Sequence, residues 1–295
     1  MDVGNLVLFF LAGLSIAAVL FIVTAGLSLV FGALRVINMA HGSLYMIGAF
    51  VSWFVIVHLA NALFGFWAAL LVAPLITAII GAVVEIFVLK PVYGKEHLLQ
   101  LLGTYALTLI FAGLVRKVFG ADVRSISAPA ALNSSVPIFG HGFSVYQLFL
   151  IAVAVLVAAG LYLLLNRTGL GRNIRAAISD PQLLSTTGVN VTRLFTIVFM
   201  IGTALAGLGG VLVSPTSSVD PGMDSNVLIN AFAISVIGGL GSLVGSLVGA
   251  VIVGLILSFG FAYPPTAHYA IAFVFAAMVI VLTIRPWGLF GRAEQ

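Results

Sequence analysis

The spacing of charged side chains is the feature that most constrains how this sequence can fold. Only 7% of its 295 residues are charged, whereas a soluble globular domain carries roughly 25%. A helix needs about 20 mainly apolar residues to cross a hydrocarbon core about 30 Å thick. The stretches that lack Asp, Glu, Lys and Arg are long enough for many such helices, and they run over residues 3–34, 36–84, 97–115, 125–166, 194–219 and 225–284.

The apolar stretches predict helices rather than the strands of a membrane barrel. Both folds satisfy the backbone inside lipid, but barrel strands alternate apolar and polar residues over about 10 positions. Residues 148–165, LFLIAVAVLVAAGLYLLL, do not alternate. The 32 glycines fit helices that pack closely in lipid. We therefore predict an all-α polytopic membrane protein with a single transmembrane domain over residues 1–295.

Hydropathy predicts the positions of the membrane-spanning helices, but it does not decide how one stretch crosses the membrane. Residues 227–259 are too long for one ordinary helix and are interrupted by Gly238, Gly239 and Gly241. This stretch must form either two short crossings broken at the glycines or a re-entrant excursion, so we expect about 8–10 transmembrane helices. The other predicted spans are residues 6–31, 40–57, 66–89, 98–115, 145–165, 194–213 and 267–284.

Basic residues predict the orientation, because cytoplasmic loops collect Lys and Arg. The loop 166–193 and the tail with Arg285 and Arg292 are both basic. Both therefore belong to the cytoplasm, with the N-terminus outside as the first permanent helix. Three residues oppose this arrangement by falling outside, namely Arg116, Lys117 and Arg124.

A polar segment between two apolar runs contains Arg35, Asn38, His41 and Ser43. One interpretation is a cytoplasmic turn in which Arg35 lies at the lipid headgroups and Asn38 caps the next helix. The other is a broken helix that exposes these side chains to a polar path. The chemistry of the residues favours the turn.

Two segments of the chain resemble each other weakly, which leaves open whether the chain contains an internal repeat. HGSLYMIGAFV follows the polar segment, and VGSLVGAVIV follows the glycine interruption. Many transporters contain repeats with broken helices in corresponding positions. Glycine-rich apolar sequences also resemble one another by chance, so a true repeat and a chance similarity both stay possible here.

The loop 166–193 is the longest polar stretch assigned to the cytoplasm. Ile174, Ala177 and Ile178 recur at helical spacing, with Arg172 and Arg175 elsewhere on the turn. An ordinary basic loop is one interpretation. We favour a short helix on the membrane surface that binds a soluble partner and ends at Gly188.

The remaining ionisable residues give no catalytic pattern. Glu85 is interpreted as a charge at a helix end rather than part of a proton relay, and Asp220 and Asp224 as residues of a solvated outer loop. The sequence has no cysteine, no phosphate-binding loop and no zinc-binding H-E-x-x-H pair. Its histidines are scattered, which predicts no metal site. Its basic residues form no run, which predicts no nucleic-acid partner.

Four blocks give the chain a close resemblance to the permeases of branched-chain amino acid ABC importers, the Liv type. The similarity covers nearly the whole chain in the family's order. The blocks are GLSLVFGALRVINMAHGSLYMIGAF, GRNIRAAISDPQLLSTTGVNV, LAGLGGVL and FAISVIGGLGSLVGSLVGAVIVGL.

This resemblance implies a transport subunit of the bacterial cytoplasmic (inner) membrane, and not an enzyme. It implies a second homologous permease, two cytoplasmic ATPase subunits and an extracytoplasmic substrate-binding protein as partners. ATP and Mg²⁺ would bind to the ATPase subunits, with no cofactor on this chain. Inverted repeats are the fold expected from such a transporter.

The resemblance also assigns residues. It moves the polar segment into the bundle, so that Asn38, His41, Gly42 and Ser43 become candidates for the substrate pathway. It identifies the loop 166–193 as the element that couples to the ATPase, and the residues that carry this are Arg172, Arg175, Ala176, Asp180 and Gly188.

The solute is less constrained than the class of transporter. Leucine, isoleucine and valine are the expected substrates. Related permeases for urea, short amides or aromatic acids share the same blocks. A contrasting hypothesis is an autonomous channel or proton-coupled carrier in which Glu85 and His41 relay protons.

Overall fold

The computed structural model describes residues 3–58 and 62–291, and Arg292 of the predicted cytoplasmic tail lies outside them. Within these ranges the chain is helical, apart from turns, irregular segments and one hairpin of β1 (Ser135–Ile138) and β2 (His141–Ser144). The helices are α1 (Val3–Leu34), α2 (His41–His58), α3 (Ala62–Val84), α4 (His97–Phe119), α5 (Val145–Arg167), α6 (Gly169–Ser179), α7 (Pro181–Thr186), α8 (Val191–Val213), α9 (Met223–Gly238), α10 (Leu243–Ala262), α11 (Pro264–Ala267) and α12 (Ala270–Ile284).

The membrane-spanning helices confirm the predicted fold class. Seven helices of the described chain are long and apolar enough to cross a membrane, and two shorter apolar helices, α9 and α12, accompany them. The chain is therefore an all-α polytopic membrane protein, with a helix number inside the expected range. The hairpin was not predicted, since its eight residues carry little alternation.

Contacts at the two ends of α1 define two faces of the bundle. Near the start of α1, Gly4 packs against His141 of the hairpin, and the Phe9 carbonyl accepts a 2.6 Å hydrogen bond from Ser258 in α10. Near its end, Gly32 packs against Gly241, just before α10 begins. Helices α1 and α10 are therefore antiparallel. We name the end with the β hairpin the hairpin face.

We name the opposite end the basic face because most described Lys and Arg residues lie there. Helix α6 lies across this face beneath the end of α1. Three basic residues lie instead near the hairpin face, namely Arg116, Lys117 and Arg124. The basic face carries Arg35, Lys90, Lys95, Arg167, Arg172, Arg175, Arg193 and Arg285.

Helix α2 begins inside the bundle instead of at the basic face. After α1 ends, residues 35–40 are non-helical and run back along α1. The imidazole of His41, the first residue of α2, bonds to the Val23 carbonyl at 2.9 Å. Val23 lies 11 residues before Leu34, so α2 starts about 16 Å below the end of α1 at the helical rise of 1.5 Å per residue. The predicted cytoplasmic turn is therefore wrong for most of this segment.

Helix α9 begins inside the bundle in the same manner, but from the hairpin face. Ser214, just after α8, lies 3.3 Å from Ser52 of α2, hydroxyl to hydroxyl. Asp224, in the first turn of α9, lies 3.1 Å from the hydroxyl of Ser43. Because Ser43 precedes Ser52 by nine residues of α2, residues 214–222 return roughly 13 Å into the bundle.

The two interior helices belong to an inverted repeat. Helix α1 packs against α10 as α8 packs against α3, and α4 packs against α2 as α12 packs against α9. Each half thus has a long helix, a returning segment, an interior helix and two further crossings, in opposite directions. The weak similarity between the two sequence segments paired the wrong helices. It matched the start of α2 with α10, whereas the counterpart of α2 is α9.

The glycine interruption forms a turn at the basic face, so the re-entrant alternative for residues 227–259 is wrong. Gly239 has φ of 99°, a conformation that favours glycine, and Gly241 has φ of 80°. The C-terminal segment closes this turn. The Leu289 and Phe290 amides donate 2.9 Å hydrogen bonds to the carbonyls of Ile237 and Gly238, which helix geometry leaves without partners.

Backbone contact between small residues holds the centre of the bundle together. A Cβ added to Gly48 of α2 would lie 2.5 Å from both the Cα and the carbonyl oxygen of Gly207 in α8. Helices in lipid associate through such close packing, because lipid tails supply no hydrophobic drive between them. Helix α5 offers a contrast, since a Cβ on Gly160 would meet no atom within 4 Å.

We predict that Gly48→Val destabilises the protein whereas Gly160→Val does not. The valine at position 48 must separate α2 from α8, and overpacking of this kind costs about 1–3 kcal/mol or more. Thermal unfolding of both variants in the same detergent measures the difference. Equal melting temperatures would contradict the described contact between α2 and α8.

Candidate functional site

The starts of the two interior helices meet at the centre of the bundle. The Ser43 hydroxyl of α2 donates to a carboxylate oxygen of Asp224 in α9 at 3.1 Å. A Cβ on Gly42 would lie 2.4 Å from the Asp224 carbonyl oxygen, so only glycine permits this approach. The two positive helix ends and one carboxylate therefore lie together.

Asp224 is a buried carboxylate without a basic partner. Only 6% of the residue is exposed. Its second carboxylate oxygen accepts a 2.9 Å hydrogen bond from the Ser225 amide. In the described chain the one Lys or Arg that pairs with an acid is Arg124, which lies 3.6 Å from Asp122. The expectation that Asp224 belongs to a solvated loop is wrong, whereas Asp220 keeps a turn role by accepting from the Gly222 amide.

A cavity of about 200 Å³ lies beside this carboxylate, between α2, α4 and α9. Tyr105 and Ile229 are half-exposed at its rim, so the cavity reaches the surface of the bundle at the depth of the interior helices. Exposed polar groups at that depth are costly against lipid. The cavity is lined by Met39, Ser43, Tyr105, Thr108, Asp224, Ser225, Leu228 and Ile229.

The other predicted pathway residues are buried, but they face different neighbours. Asn38 accepts a hydrogen bond from the Ala40 amide at 3.1 Å, in the turn just before α2 begins. His41 bonds to the Val23 carbonyl through Nε2, so Nε2 carries the proton. The Nδ2 of Asn38 and the Nδ1 of His41 have no partner in the described chain. A role for Asn38, His41, Gly42 and Ser43 in transport stays a prediction.

Glu85 lies at the end of α3 near the basic face, as predicted, but its carboxylate is buried. It begins a π-helical turn over Glu85–Leu89 that continues α3. Its carboxylate accepts hydrogen bonds from Tyr93 at 2.9 Å and from Thr196 of α8 at 2.6 Å. Burial is the main reason why the pKa of the Tyr93 phenol lies above its usual value, and the nearby Glu85 raises this pKa further. The proposed proton relay gains no support, because Glu85 and His41 share no hydrogen-bond partner within the described residues.

The loop 166–193 forms two short helices, α6 and α7, where the sequence predicted one. Thr168 caps α6 by accepting from the Gly171 amide at 3.1 Å. Asp180 caps α7 by accepting 2.9 Å hydrogen bonds from the Gln182 and Leu183 amides. The predicted terminator, Gly188, follows α7 with φ of 84°.

Helix α6 has one face on the bundle and one face exposed. Ile174 and Ala177 are buried against Leu29 and Ala33 of α1, as their spacing predicted. Ile178, assigned to the same apolar face, is instead 38% exposed. The residues assigned to coupling are all exposed, namely Arg172, Arg175, Ala176, Asp180 and Gly188.

The two arginines of α6 differ in their contacts. The Arg175 guanidinium donates to the Leu165 carbonyl near the end of α5, so Arg175 helps to fix α6 on the bundle. Arg172 makes no side-chain hydrogen bond or ion pair within the described residues. Arg172 is therefore the more available of the two for a partner.

Among the residues that the structure describes, no group of three or more His, Cys, Asp or Glu could hold a metal ion. The candidate site is instead the junction of α2 and α9 with its cavity, together with the exposed surface of α6 and α7. Asp224 was missed by sequence reasoning. Its signal is its place in the second half, because the first turn of α9 corresponds to the first turn of α2, which carries Ser43.

The chain is similar to known permeases over nearly its whole length. Residues 9–282 match the family model described as branched-chain amino acid transport system, permease component. The chain is 29% identical over 294 residues to the permease BraD of Pseudomonas aeruginosa, covering 96% of this chain and 94% of BraD. It is 28% identical to LivH of Escherichia coli, with the same two coverages. No solved structure matches the chain.

A third relative comes from an archaeon. The probable branched-chain amino acid transport permease LivH of Methanocaldococcus jannaschii is 30% identical over 289 residues. The match covers 92% of this chain and 88% of that protein.

We predict that Asp180→Ala loosens α7 whereas Asp180→Asn does not. Alanine removes both capping hydrogen bonds, and loss of an N-cap costs about 0.5–2 kcal/mol, whereas Asn caps as well as Asp. Hydrogen exchange over residues 181–186 measures the change. Unchanged exchange in the alanine variant would show that the cap does not hold α7.

Proposed function

Because the chain belongs to the family of branched-chain amino acid transport system permease components, we propose that it is the membrane-spanning subunit of an ATP-driven importer for leucine, isoleucine or valine. The observation that carries the proposal is the family match over residues 9–282, which includes both halves of the inverted repeat. BraD and LivH are permeases of high-affinity branched-chain amino acid transport systems, which supports the choice of substrate. The chain itself is a transport subunit and not an enzyme.

The proposed complex contains a second homologous permease, two cytoplasmic ATPase subunits and an extracytoplasmic binding protein. ATP and Mg²⁺ bind to the ATPase subunits. Two features support this division of labour. The sequence has no phosphate-binding loop, and α6 presents exposed charged residues on the basic face.

The packing of α6 supports a route by which ATPase movement reaches the membrane. Ile174 and Ala177 pack on α1, and the same cluster includes Leu194 and Val198 of α8. Helices α1 and α8 are the long helices of the two halves, and each leads into an interior helix. Displacement of α6 therefore moves both halves. ATP binding drives transport only if the ATPase dimer has different affinities for the inward-open and outward-open states.

The chain is a multi-pass inner-membrane protein, and we propose that its basic face lies in the cytoplasm. The distribution of Lys and Arg supports this orientation, since cytoplasmic loops are enriched in both. The N-terminal end of α1 then lies outside and the end of α12 inside. Arg124, on the outer side, is partly neutralised by Asp122 and lies 4.7 Å from the ring centre of Trp53.

We predict that Arg172→Glu uncouples ATP hydrolysis from uptake. The variant reverses an exposed charge on the proposed ATPase-binding surface without breaking a described contact. Lys117→Glu, an equally exposed reversal at the hairpin face, is the matched control and retains coupling. The ratio of leucine imported to ATP hydrolysed, in liposomes with all partner subunits, measures the effect.

Three results would oppose all or part of the proposal, the second of them in liposomes prepared without the ATPase subunits. Normal coupling in Arg172→Glu would remove α6 from the ATPase interface. Uptake that follows a proton gradient without any ATPase subunit would support the autonomous carrier instead. Uptake of urea, short amides or aromatic acids in place of leucine would keep the transporter class and change the substrate.

We predict opposite labelling of two single-cysteine variants, which are convenient because the natural chain has no cysteine. Ser134→Cys, near the hairpin, reacts with an impermeant thiol reagent added to spheroplasts. Ser179→Cys, at the end of α6, reacts only after the membrane is permeabilised. The reverse pattern would invert the proposed orientation.

A further inference from the structure

The buried carboxylate of Asp224 lacks a positive partner in the described chain, although it lies within the bundle. A buried charge is costly unless it is paired and hydrogen-bonded. Asp224 has one hydroxyl donor, from Ser43, and one amide donor, from Ser225. These hydrogen bonds and the positive start of α9 stabilise the carboxylate. Neither donor brings a positive charge, so the carboxylate can still bind a cation.

We propose that the cavity beside Asp224 binds the α-ammonium group of the transported amino acid, with this carboxylate as its direct partner. The inference rests on the proposed function and goes beyond it, because it assigns a recognition residue inside the permease. Substrate selection would then occur in the membrane as well as on the binding protein. An ammonium group brings the missing charge and up to three hydrogen-bond donors.

The size of the cavity fits a small solute, and its accessible surface is almost wholly apolar, so the ammonium group reaches the carboxylate only when α2 and α9 move apart. Its volume of about 200 Å³ is below the roughly 300–1,000 Å³ of pockets for drug-sized ligands. Met39, Leu228 and Ile229 supply an apolar wall next to the carboxylate. A branched aliphatic side chain would contact this wall while its ammonium group contacts Asp224.

The position of the cavity gives the solute a route. The carboxylate lies where the interior helices of the two halves begin, so a relative movement of α2 and α9 changes its surroundings. The half-exposed rim at Tyr105 and Ile229 provides access from the side of α4. The site therefore lies at the junction of the two inverted halves, a position at which repeat-built carriers bind their solutes.

The experiment uses Ser225→Cys as the only cysteine of the complex, with cysteine-free partner subunits. Ser225 lines the cavity and is exposed. The rate of reaction with a small charged methanethiosulfonate is measured in the assembled complex without binding protein. L-leucine should slow the reaction severalfold. The amino-free analogue 4-methylpentanoate and sodium chloride should leave it unchanged.

Three control variants separate this result from indirect effects. Asp224→Asn, added to Ser225→Cys, should abolish protection by leucine, and Asp224→Glu should restore part of it. Ser179→Cys on the basic face should react at the same rate with and without leucine. The comparison between leucine and its analogue needs no change at Asp224, so it holds even where Asp224→Asn folds poorly.

Several results would overturn the inference, and a separate measurement tests the proposed function. Equal protection by leucine and 4-methylpentanoate, protection by sodium alone, protection that persists in a folded Asp224→Asn variant, or no protection would overturn the inference. A Ser225→Cys variant that never reacts would overturn it too, because the cavity must admit small solutes. ATP-dependent leucine uptake by the unmodified complex is measured in parallel, and its absence would refute the proposed function instead.

Discussion

Hydrogen bonding at two buried helix starts is the constraint on which the rest of this structure depends. A helix that begins at a membrane surface satisfies its first amides with water, but α2 and α9 begin inside the bundle, where water is scarce. The chain supplies polar side chains there instead. Asn38 accepts from the Ala40 amide just before α2, and Asp224 in the first turn of α9 accepts from Ser43 and from the Ser225 amide. These few polar residues make the broken helices possible, and the broken helices create the cavity.

The inverted repeat explains why both helix starts meet at the same depth. Helices α1 and α8 run in opposite directions, and each is followed by a segment that returns into the bundle. The returning segments approach from opposite faces, so their helices begin near the middle of the bundle. Contacts without side chains, such as Gly48 on Gly207, hold the halves at a fixed separation. Movement between the halves therefore favours rotation of packed bodies over gradual deformation.

The spacing of charges was sufficient to predict most of the fold, because ionic groups are excluded from the hydrocarbon region. It placed the spans near their observed bounds and indicated α6 by helical spacing. It could not reveal the re-entry of residues 35–40 and 214–222. Both segments contain the turn-forming and polar residues of surface loops, and composition carries no information on depth. Asp224 was misjudged for that reason, whereas the family resemblance correctly moved Asn38 and His41 into the bundle.

The hydrogen bonds between the C-terminal segment and the end of α9 have a consequence for biosynthesis. Leu289 and Phe290 bind carbonyls of residues made about 50 positions earlier. A ribosome delivers these two residues only after α10 and α12, so the turn after α9 waits with unsatisfied carbonyls until residues 289 and 290 have been made. Closure of that turn therefore follows the synthesis of α12, and a chain that stops before residue 289 would carry an open end that quality-control proteases can recognise.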